Sequence, residues 1–492
     1  MGRPSRDVLS SRVQQLQQSL RDDIHQDRLK IGDYIPSEVE LAKRFHISKE
    51  TVRRALDDLV AEGIIIKIRR VGNKVAGAVN TPASPADRDS TDSTVPAIKS
   101  VHAVDHSNES RSVDANPKET ITIKLAYYPS LEQETKLSIL VNLFEQLNPY
   151  IRIQLIPTPF PVELAEHGIA DVFTISSWDH LKLRDRDSAL KLLALPPVTE
   201  RAHPLLESHF HNDRGQVTAA PFVYSPVVLC YNRDHLELCG IEEPTESWTW
   251  YTLLKHARTL SKELDLWGFA VHIQSLNRWP VFLLQNDYSF HANEEVKLSE
   301  NPILWESLRI ARDLIQQQQR SAPLLTEDDT DVERWFREGK ASMIMTTYFG
   351  MNQFKHSNIR YGVAPLPSLR TADTLMLVAG LAQSSSTPHP ELSSRLIQFL
   401  CGEAAQRKVR TETLSLPAHP TALKRNADLQ GTRPEVEISM EQMWSHCKSY
   451  RDLNLKAKVI DAIRVELKGF WSYMEDQWET GERIELVITR SR

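Results

Sequence analysis

Residues 36 to 76, PSEVELAKRFHISKETVRRALDDLVAEGIIIKIRRVGNKVA, constrain this chain more than any other stretch, because each local signal in them agrees with the next. Ser37 stands where a hydroxyl caps a helix, and Glu40 three positions on completes a capping box, so a helix is expected over 38–45. Leu41, Ala42 and Phe45 give it one apolar stripe. After His46-Ile47, Ser48 is placed to cap a second helix over 49–62. There Val52, Ala55, Leu56, Leu59 and Val60 recur at three- and four-residue steps, leaving Lys49, Glu50, Arg53 and Arg54 outward. Gly63 stops the helix. Ile64 to Arg69 alternates, Val71-Gly72-Asn73 supplies a turn, and Lys74-Val75 begins a return strand. The result reads as a helix-turn-helix followed by a two-stranded wing. Between Lys67 and Lys74 lie four cations and no acid, which suits a hairpin that grips phosphates.

These residues carry a family resemblance. Gly32, Pro36-Ser37-Glu38, Leu41-Ala42, Ser48, Thr51-Val52-Arg53, Ala55-Leu56, Leu59, Glu62-Gly63 and Gly72 match in order and spacing the DNA-binding domain of the GntR family of bacterial transcription regulators. The resemblance covers residues 8 to 77. It implies that Ser48, Lys49, Thr51 and Arg53 contact DNA from the recognition helix and Gly72 from the wing. Ser37, Arg54, Lys67, Arg69, Arg70 and Lys74 complete the candidate DNA-binding set on charge and position. A lone cation on a helix is usually just a solvated face; the joint pattern is what points to a duplex. Glu50 would repel phosphate and is expected to point away. Where the family usually has an arginine after Ser-Glu, this chain has Val39, so one contact with phosphate or base is missing.

At 492 residues the chain exceeds what one core ordinarily holds. Its charge is divided: residues 1 to 80 carry 15 Lys and Arg against 11 Asp and Glu, and the remainder 44 against 54. A basic head on an acidic body favours nucleic acid at one end only. Residues 8–27 place Leu9, Val13, Leu16, Leu20 and Ile24 on one face, a helix to close the head's core. Between about Val79 and Thr120 the composition turns to Ser, Thr, Asp, Asn and Pro. This is a linker that spans roughly 35 Å as a coil. The expected organisation is therefore a head over 1–78, a linker over 79–119 and a body over 120–492. Cys230, Cys239, Cys401 and Cys447 have neither metal nor disulfide spacing. No apolar run approaches the ~20 residues that cross a bilayer, and no hydrophobic leader is evident, so the expected location is the cytoplasm, with no membrane partner.

In the body, strands and helices alternate: a strand over 121–126, a helix over 131–147, strands over 151–156 and 171–175, a long strand over 222–231, a helix over 249–264 and a strand at 268–271. The alternation predicts α/β architecture with a largely parallel sheet. Leu147-Asn148-Pro149 before Ile151-Arg152-Ile153, Ala170-Asp171-Val172, Ala220-Pro221-Phe222, Tyr231-Asn232, Gly240-Ile241, Thr249-Trp250, Phe336 to Met343 and Ala364 to Pro367 resemble pieces of the bacterial extracellular solute-binding proteins of the sugar-binding type. That resemblance implies a two-lobed, periplasmic-binding-protein-like (type 2) fold that closes over a ligand. A sugar needs flat aromatic walls and a few polar groups, and the candidates are Tyr128, Trp178 with Asp179, Tyr224, Trp279 and Tyr348. Trp250, Trp267 and Trp335 fit the core better.

Nothing in the sequence points to catalysis: there is no Walker loop, no dinucleotide fingerprint and no GxSxG elbow. No cofactor is expected. His203, His209 and His211 lack regular ligand spacing, so no metal is expected either. The chain thus reads as a homodimeric regulator whose head binds a palindromic double-stranded operator and whose body binds a carbohydrate or related small solute. The alternative is a body that binds a protein partner, such as a transporter component.

Overall fold

The computed structural model describes residues 6–25, 29, 33–45, 47–61, 64–68, 72–75, 120–186, 192, 202–290, 297–317, 328–423 and 439–490. The chain divides into two compact units, Met1–Glu119 and Thr120–Arg492.

The first unit packs α1 (Arg6–His25), α2 (Glu38–Phe45) and α3 (Lys49–Ala61) beside a hairpin of β1 (Ile65–Ile68) and β2 (Gly72–Val75). Both expected serine caps are made. Ser37 Oγ accepts the N–H of Glu40 at 3.2 Å, and Ser48 Oγ accepts that of Thr51 at 3.1 Å. Leu16, Leu20, Leu41, Val52, Leu56, Leu59 and Val75 close one small core with almost no exposure. The hairpin pairs Ile65 with Val75 and Ile68 with Gly72, so Gly72 lies in the strand rather than at a turn tip. The expected linker at 79–119 lies outside the described residues.

The second unit opens with β3 (Ile121–Tyr127), α4 (Ser130–Thr135), α5 (Leu137–Leu147), β4 (Ile151–Pro157), α6 (Pro161–Glu166), β5 (Val172–Ser176) and α7 (Ser177–Asp185). It continues through α8 (Pro204–Ser208), the long β6 (Ala220–Asn232), α9 (Arg233–Leu238), α10 (Trp250–Leu264), α11 (Pro280–Gln285), α12 (Pro302–Gln317) and α13 (Asp329–Arg337). Then follow β7 (Met343–Thr347), β8 (Tyr361–Ala364), β9 (Thr374–Gln383), α14 (Pro390–Cys401), α15 (Glu403–Glu412) and β10 (Leu416–Pro417). The described chain finishes with α16 (Met440–Met443), β11 (Cys447–Lys448), α17 (Ala457–Trp471) and α18 (Gln477–Thr489).

Three expectations need correction. The single helix over 131–147 is two, broken at Lys136, which adopts φ 55°. Glu132 makes the break possible: its carboxylate accepts both the N–H and the hydroxyl of Ser138 and so holds the start of α5. The sheet is mixed, not largely parallel. Its main path runs β10-β6-β9-β5-β3-β4; β3 pairs in parallel with β4 and β5, whereas β9 runs antiparallel to both β5 and β6. Finally, 268–271 is no regular strand and makes only an isolated bridge from Ala270 to Ile344. Gly268 is nevertheless required, since a Cβ there would sit 1.9 Å from the carbonyl oxygen of Ala257.

β6 explains how the unit is divided. Its first half, up to Pro226, pairs with β9, and its second half, from Val227, pairs with β7 and β8. Two cores form accordingly. One gathers Leu125, Leu140, Phe144, Ile151, Phe222 and Leu381, and the other Leu229, Trp250, Phe282, Trp305, Met345 and Ile460. Phe349 packs against both.

Candidate functional site

On the head, α3 carries its apolar residues inward and leaves Lys49, Arg53 and Arg54 exposed. Lys49 and Arg53 are one turn apart and so share a face. Ser48 is committed twice: it caps α3, and its hydroxyl lies 2.8 Å from that of Thr51. Lys67 and Lys74 lie on the two strands of the hairpin, in adjacent registers, and Lys74 Nζ sits 5.9 Å from the centre of the Tyr34 ring. Ser37 is exposed at the start of α2. Arg69 and Arg70 lie outside the described residues. What remains is an exposed cationic helix beside a cationic hairpin, the arrangement that suits a groove and its flanking phosphates.

In the second unit, the parallel pairing of β3 with β5 brings the two strand ends together, with Leu125 opposite Val172. Tyr128, just past β3, donates its N–H to Thr174 Oγ1 at 3.1 Å, and its phenol oxygen accepts the N–H of Ser176 at 3.2 Å. That phenol donates to Asp179, which also accepts from Ser176 Oγ at 2.8 Å and pairs with Lys182 at 2.5 Å. Burial, reinforced by the Asp179 charge, holds the phenol of Tyr128 well above its ordinary pKa, so it stays a donor. The half-buried indole of Trp178, next to Asp179 in the chain, lies edge-on to Tyr450 with ring centres 4.9 Å apart. Tyr450 OH in turn donates to Asn277 Oδ1 at 2.6 Å.

Behind Tyr450 lies a buried ionic group. Arg278, only 2% exposed, donates through Nε to the carbonyl of Met345 and pairs through Nη2 with Asp329 at 3.3 Å and Glu333 at 3.9 Å. Glu333 also accepts from Thr346 Oγ1 at 2.6 Å. Burial pushes the Glu333 carboxyl up to about 7, against the opposing pull of Arg278. Burial, with Asp329 and Asp179 acting the same way and Arg278 against it, holds the hydroxyl of Tyr450 well above its ordinary range.

Comparison with known proteins now decides the family. Residues 130–407, more than half of the chain, match the description "Bacterial extracellular solute-binding protein", and residues 12–75 match "Bacterial regulatory proteins, gntR family". The chain belongs to the bacterial extracellular solute-binding protein family and carries a gntR-family head. Among curated solute-binding proteins, the melibiose/raffinose/stachyose-binding protein MelE of Bacillus subtilis is 23% identical over 347 residues, 65% of this chain and 78% of that protein. The head is 40% identical over 60 residues to a probable fructoselysine utilization operon transcriptional repressor of Escherichia coli. That match covers 12% of this chain and 25% of the repressor, so the chain spans about a quarter of the regulator's length. In fold, the chain resembles maltose-bound T. maritima MalE3 (TM-score 0.63, 17% identity, 75% of this chain and 99% of that one). It also resembles Lmo0181 of Listeria monocytogenes in complex with cycloalternan (TM-score 0.61, 17% identity, 76% and 99%). A gntR-family head joined to a solute-binding fold is the architecture of a transcription regulator with a ligand-binding domain. Among the described residues no helix is long and apolar enough to cross a membrane.

Within this solute-binding fold the six expected ligand residues separate into two groups. Tyr128, Trp178 and Asp179 come together at one junction and keep partial exposure. Tyr224, Trp279 and Tyr348 are interior, at 0%, 1% and 1% exposure, and offer no surface to a solute in this structure. Tyr224 is covered by Trp444, whose ring is stacked 4.0 Å from that of His203. Trp279 packs toward Trp471 inside the second core. Tyr348 is held from within, its N–H donating to Ser225 Oγ at 2.8 Å. Tyr450 and Asn277 join the junction without having been singled out from the sequence. Tyr450 follows a segment whose placement depends on β11 pairing with β9, a long-range contact that no local pattern announces.

Proposed function

We propose that this chain is a cytoplasmic, ligand-responsive, non-enzymatic regulator. Its head, 1–78, binds a palindromic operator as a homodimer; 79–119 is a linker; and 120–492 senses a carbohydrate or related small solute. The observation that carries the reading is a capped helix with exposed Lys49, Arg53 and Arg54 in the same chain as a two-core fold whose long strands β6 and β9 are built into both halves. Strands shared in this way form a hinge, and closure about a hinge is a two-state element that a ligand biases only through its differential affinity. Relatives named for melibiose, raffinose, stachyose and maltodextrin support a sugar as the effector class. The junction of Tyr128, Trp178 and Asp179, with the buried Tyr450 packed against Trp178, supports it chemically, with partly exposed aromatic surface for C–H faces and fixed polar groups for hydroxyls.

Fluorescence anisotropy of the full chain with duplexes from its own upstream region, at modest salt, tests both halves of the proposal. Saturable, salt-sensitive binding whose midpoint shifts on adding one member of a panel of melibiose, raffinose, stachyose, maltose and maltotriose is expected. No duplex binding overturns the regulator. Duplex binding with silence across the panel, in anisotropy and in calorimetry, overturns the sugar effector.

A further inference from the structure

Helix α5 turns one face inward through Leu137, Leu140, Val141 and Phe144, which pack in the first core. Its opposite face has an unusual composition for a surface. Ile139, Leu143 and Leu147 lie one turn apart in a single stripe, 38%, 37% and 71% exposed, and the exposed neighbours are Asn142 and Gln146. No charge appears at any of these five positions. The helix's one carboxylate, Glu145, is used elsewhere: its Oε1 accepts the N–H of Ile153 at 2.6 Å.

We propose that this face of α5 is where a second copy of the chain docks, in an antiparallel, two-fold arrangement. The proposal rests on the dimer reading above and names its surface. In a two-fold contact every residue near the axis meets its own copy, so any charge there repels itself. A stripe of three apolar residues flanked by two amides is free of that penalty. The spacing is also self-complementary. With Leu143 on the axis, Ile139 of one copy meets Leu147 of the other, matching ridges four residues apart.

The adjacent sheet edge is a poorer candidate. β4 ends the main path of the sheet, but Glu145 already occupies the Ile153 N–H on it, which blunts strand addition.

Position supplies the second argument. The chain enters this unit at Thr120, and the N–H of Ile121 bonds to the carbonyl of Tyr150, three residues past the end of α5. Pairing two α5 helices therefore brings the two chain entries to within on the order of 20 Å of each other, about one helix length plus the flanking turn. Half-sites of a palindrome lie about 34–36 Å apart, and the residues between Val75 and Thr120 have contour length to cover the difference. One helix face covers less than the ~800 Å² per partner of a standard interface. The contact is accordingly weak alone and is reinforced when two heads occupy one operator.

The test is sedimentation velocity of the full chain at micromolar concentration, with and without a palindromic duplex from its upstream region. The wild type is expected to dimerise, more tightly on the duplex. Leu143→Glu and Leu143→Lys should each sediment as monomers without DNA, and their equimolar mixture should recover the dimer. Leu147→Glu mixed with Ile139→Lys gives the same readout at Leu147, which is 71% exposed and so not needed for folding. Recovery on mixing cannot come from a misfolded variant. Variants that dimerise like the wild type, or mixtures that stay monomeric while the wild type dimerises, overturn this surface and leave the dimer reading standing. A wild type that is monomeric with and without the duplex overturns both.

Discussion

The phenol of Tyr128 and the backbone N–H of Ser176 lie 3.2 Å apart although their residues are 48 positions apart in sequence, and the same phenol donates to Asp179. One tyrosine hydroxyl thus fastens the end of β3 to the turn that begins α7. Tyr128→Phe removes that hydroxyl, stranding an N–H and taking one of three partners from the Asp179 carboxylate. The expected loss is about 2 kcal/mol of stability, in the range for hydrogen bonds to a charged group. Urea unfolding followed by circular dichroism measures it, and an unchanged midpoint refutes the fastening role.

Trp178 gives the sharpest test of the solute site. Trp178→Ala should weaken whichever sugar of the panel binds the wild type by at least about tenfold, the scale of losing an aromatic stacking contact. Isothermal titration reads the affinity. Tyr224→Phe, at an interior position, should leave sugar affinity unchanged; if it is Tyr224→Phe that abolishes binding, the site lies along β6 instead.

Glu333 should write a pH signature into stability. Its carboxyl rises from 4.5 to about 7 on folding because it is buried. Between those values the folded chain holds a proton that the unfolded chain has released, so the stability it contributes is present at acid pH and is lost as pH rises through about 7. The full excursion is up to ~3 kcal/mol. His180, pushed down to about 3 chiefly by burial, acts with opposite sign, its contribution being lost as pH falls below 6.5. The difference between wild type and Glu333→Gln isolates the glutamate. The variant should be destabilised more at pH 5 than at pH 8, so that its melting temperature at pH 5 minus that at pH 8 falls below the wild-type difference, and parallel curves refute the shift.

Arg53 is the test of the head. Arg53→Ala should lower operator affinity and, if the guanidinium meets phosphate, reduce the slope of log affinity against log salt by about 0.9. If instead it reads a base edge, the slope holds and discrimination among sequences falls by about 1–3 kcal/mol. Anisotropy across a salt series separates these, and a variant indistinguishable from wild type on both counts removes Arg53 from the interface.

How far the sequence could be read depended on the range of the contacts involved. The head was legible because its signals are local: Ser37 and Ser48 each bond to an N–H three residues away, and both caps form as expected. The break at Lys136 was hidden because the apolar spacing of 131–147 runs through it, and only the capture of Ser138 by Glu132 reveals a new start. The antiparallel course of β6 was hidden too. All 13 of its residues are buried, so it shows no alternation from which a face or a direction could be inferred. Of the aromatic candidates, Trp178 and Tyr348 both follow a strand, β5 and β7 respectively, and local sequence does not tell them apart. Ser225 draws the Tyr348 backbone inward, and the boundary position between the two cores goes to its neighbour Phe349.

Because β6 and β9 thread from one half to the other, neither half is a continuous block of sequence. No single cut releases one from its companion, so a protease that nicks a loop should leave a clipped but still associated particle, separable only in denaturant. A truncation meant to yield one half alone would strip the remaining piece of strands it needs and deliver an exposed, aggregation-prone remnant.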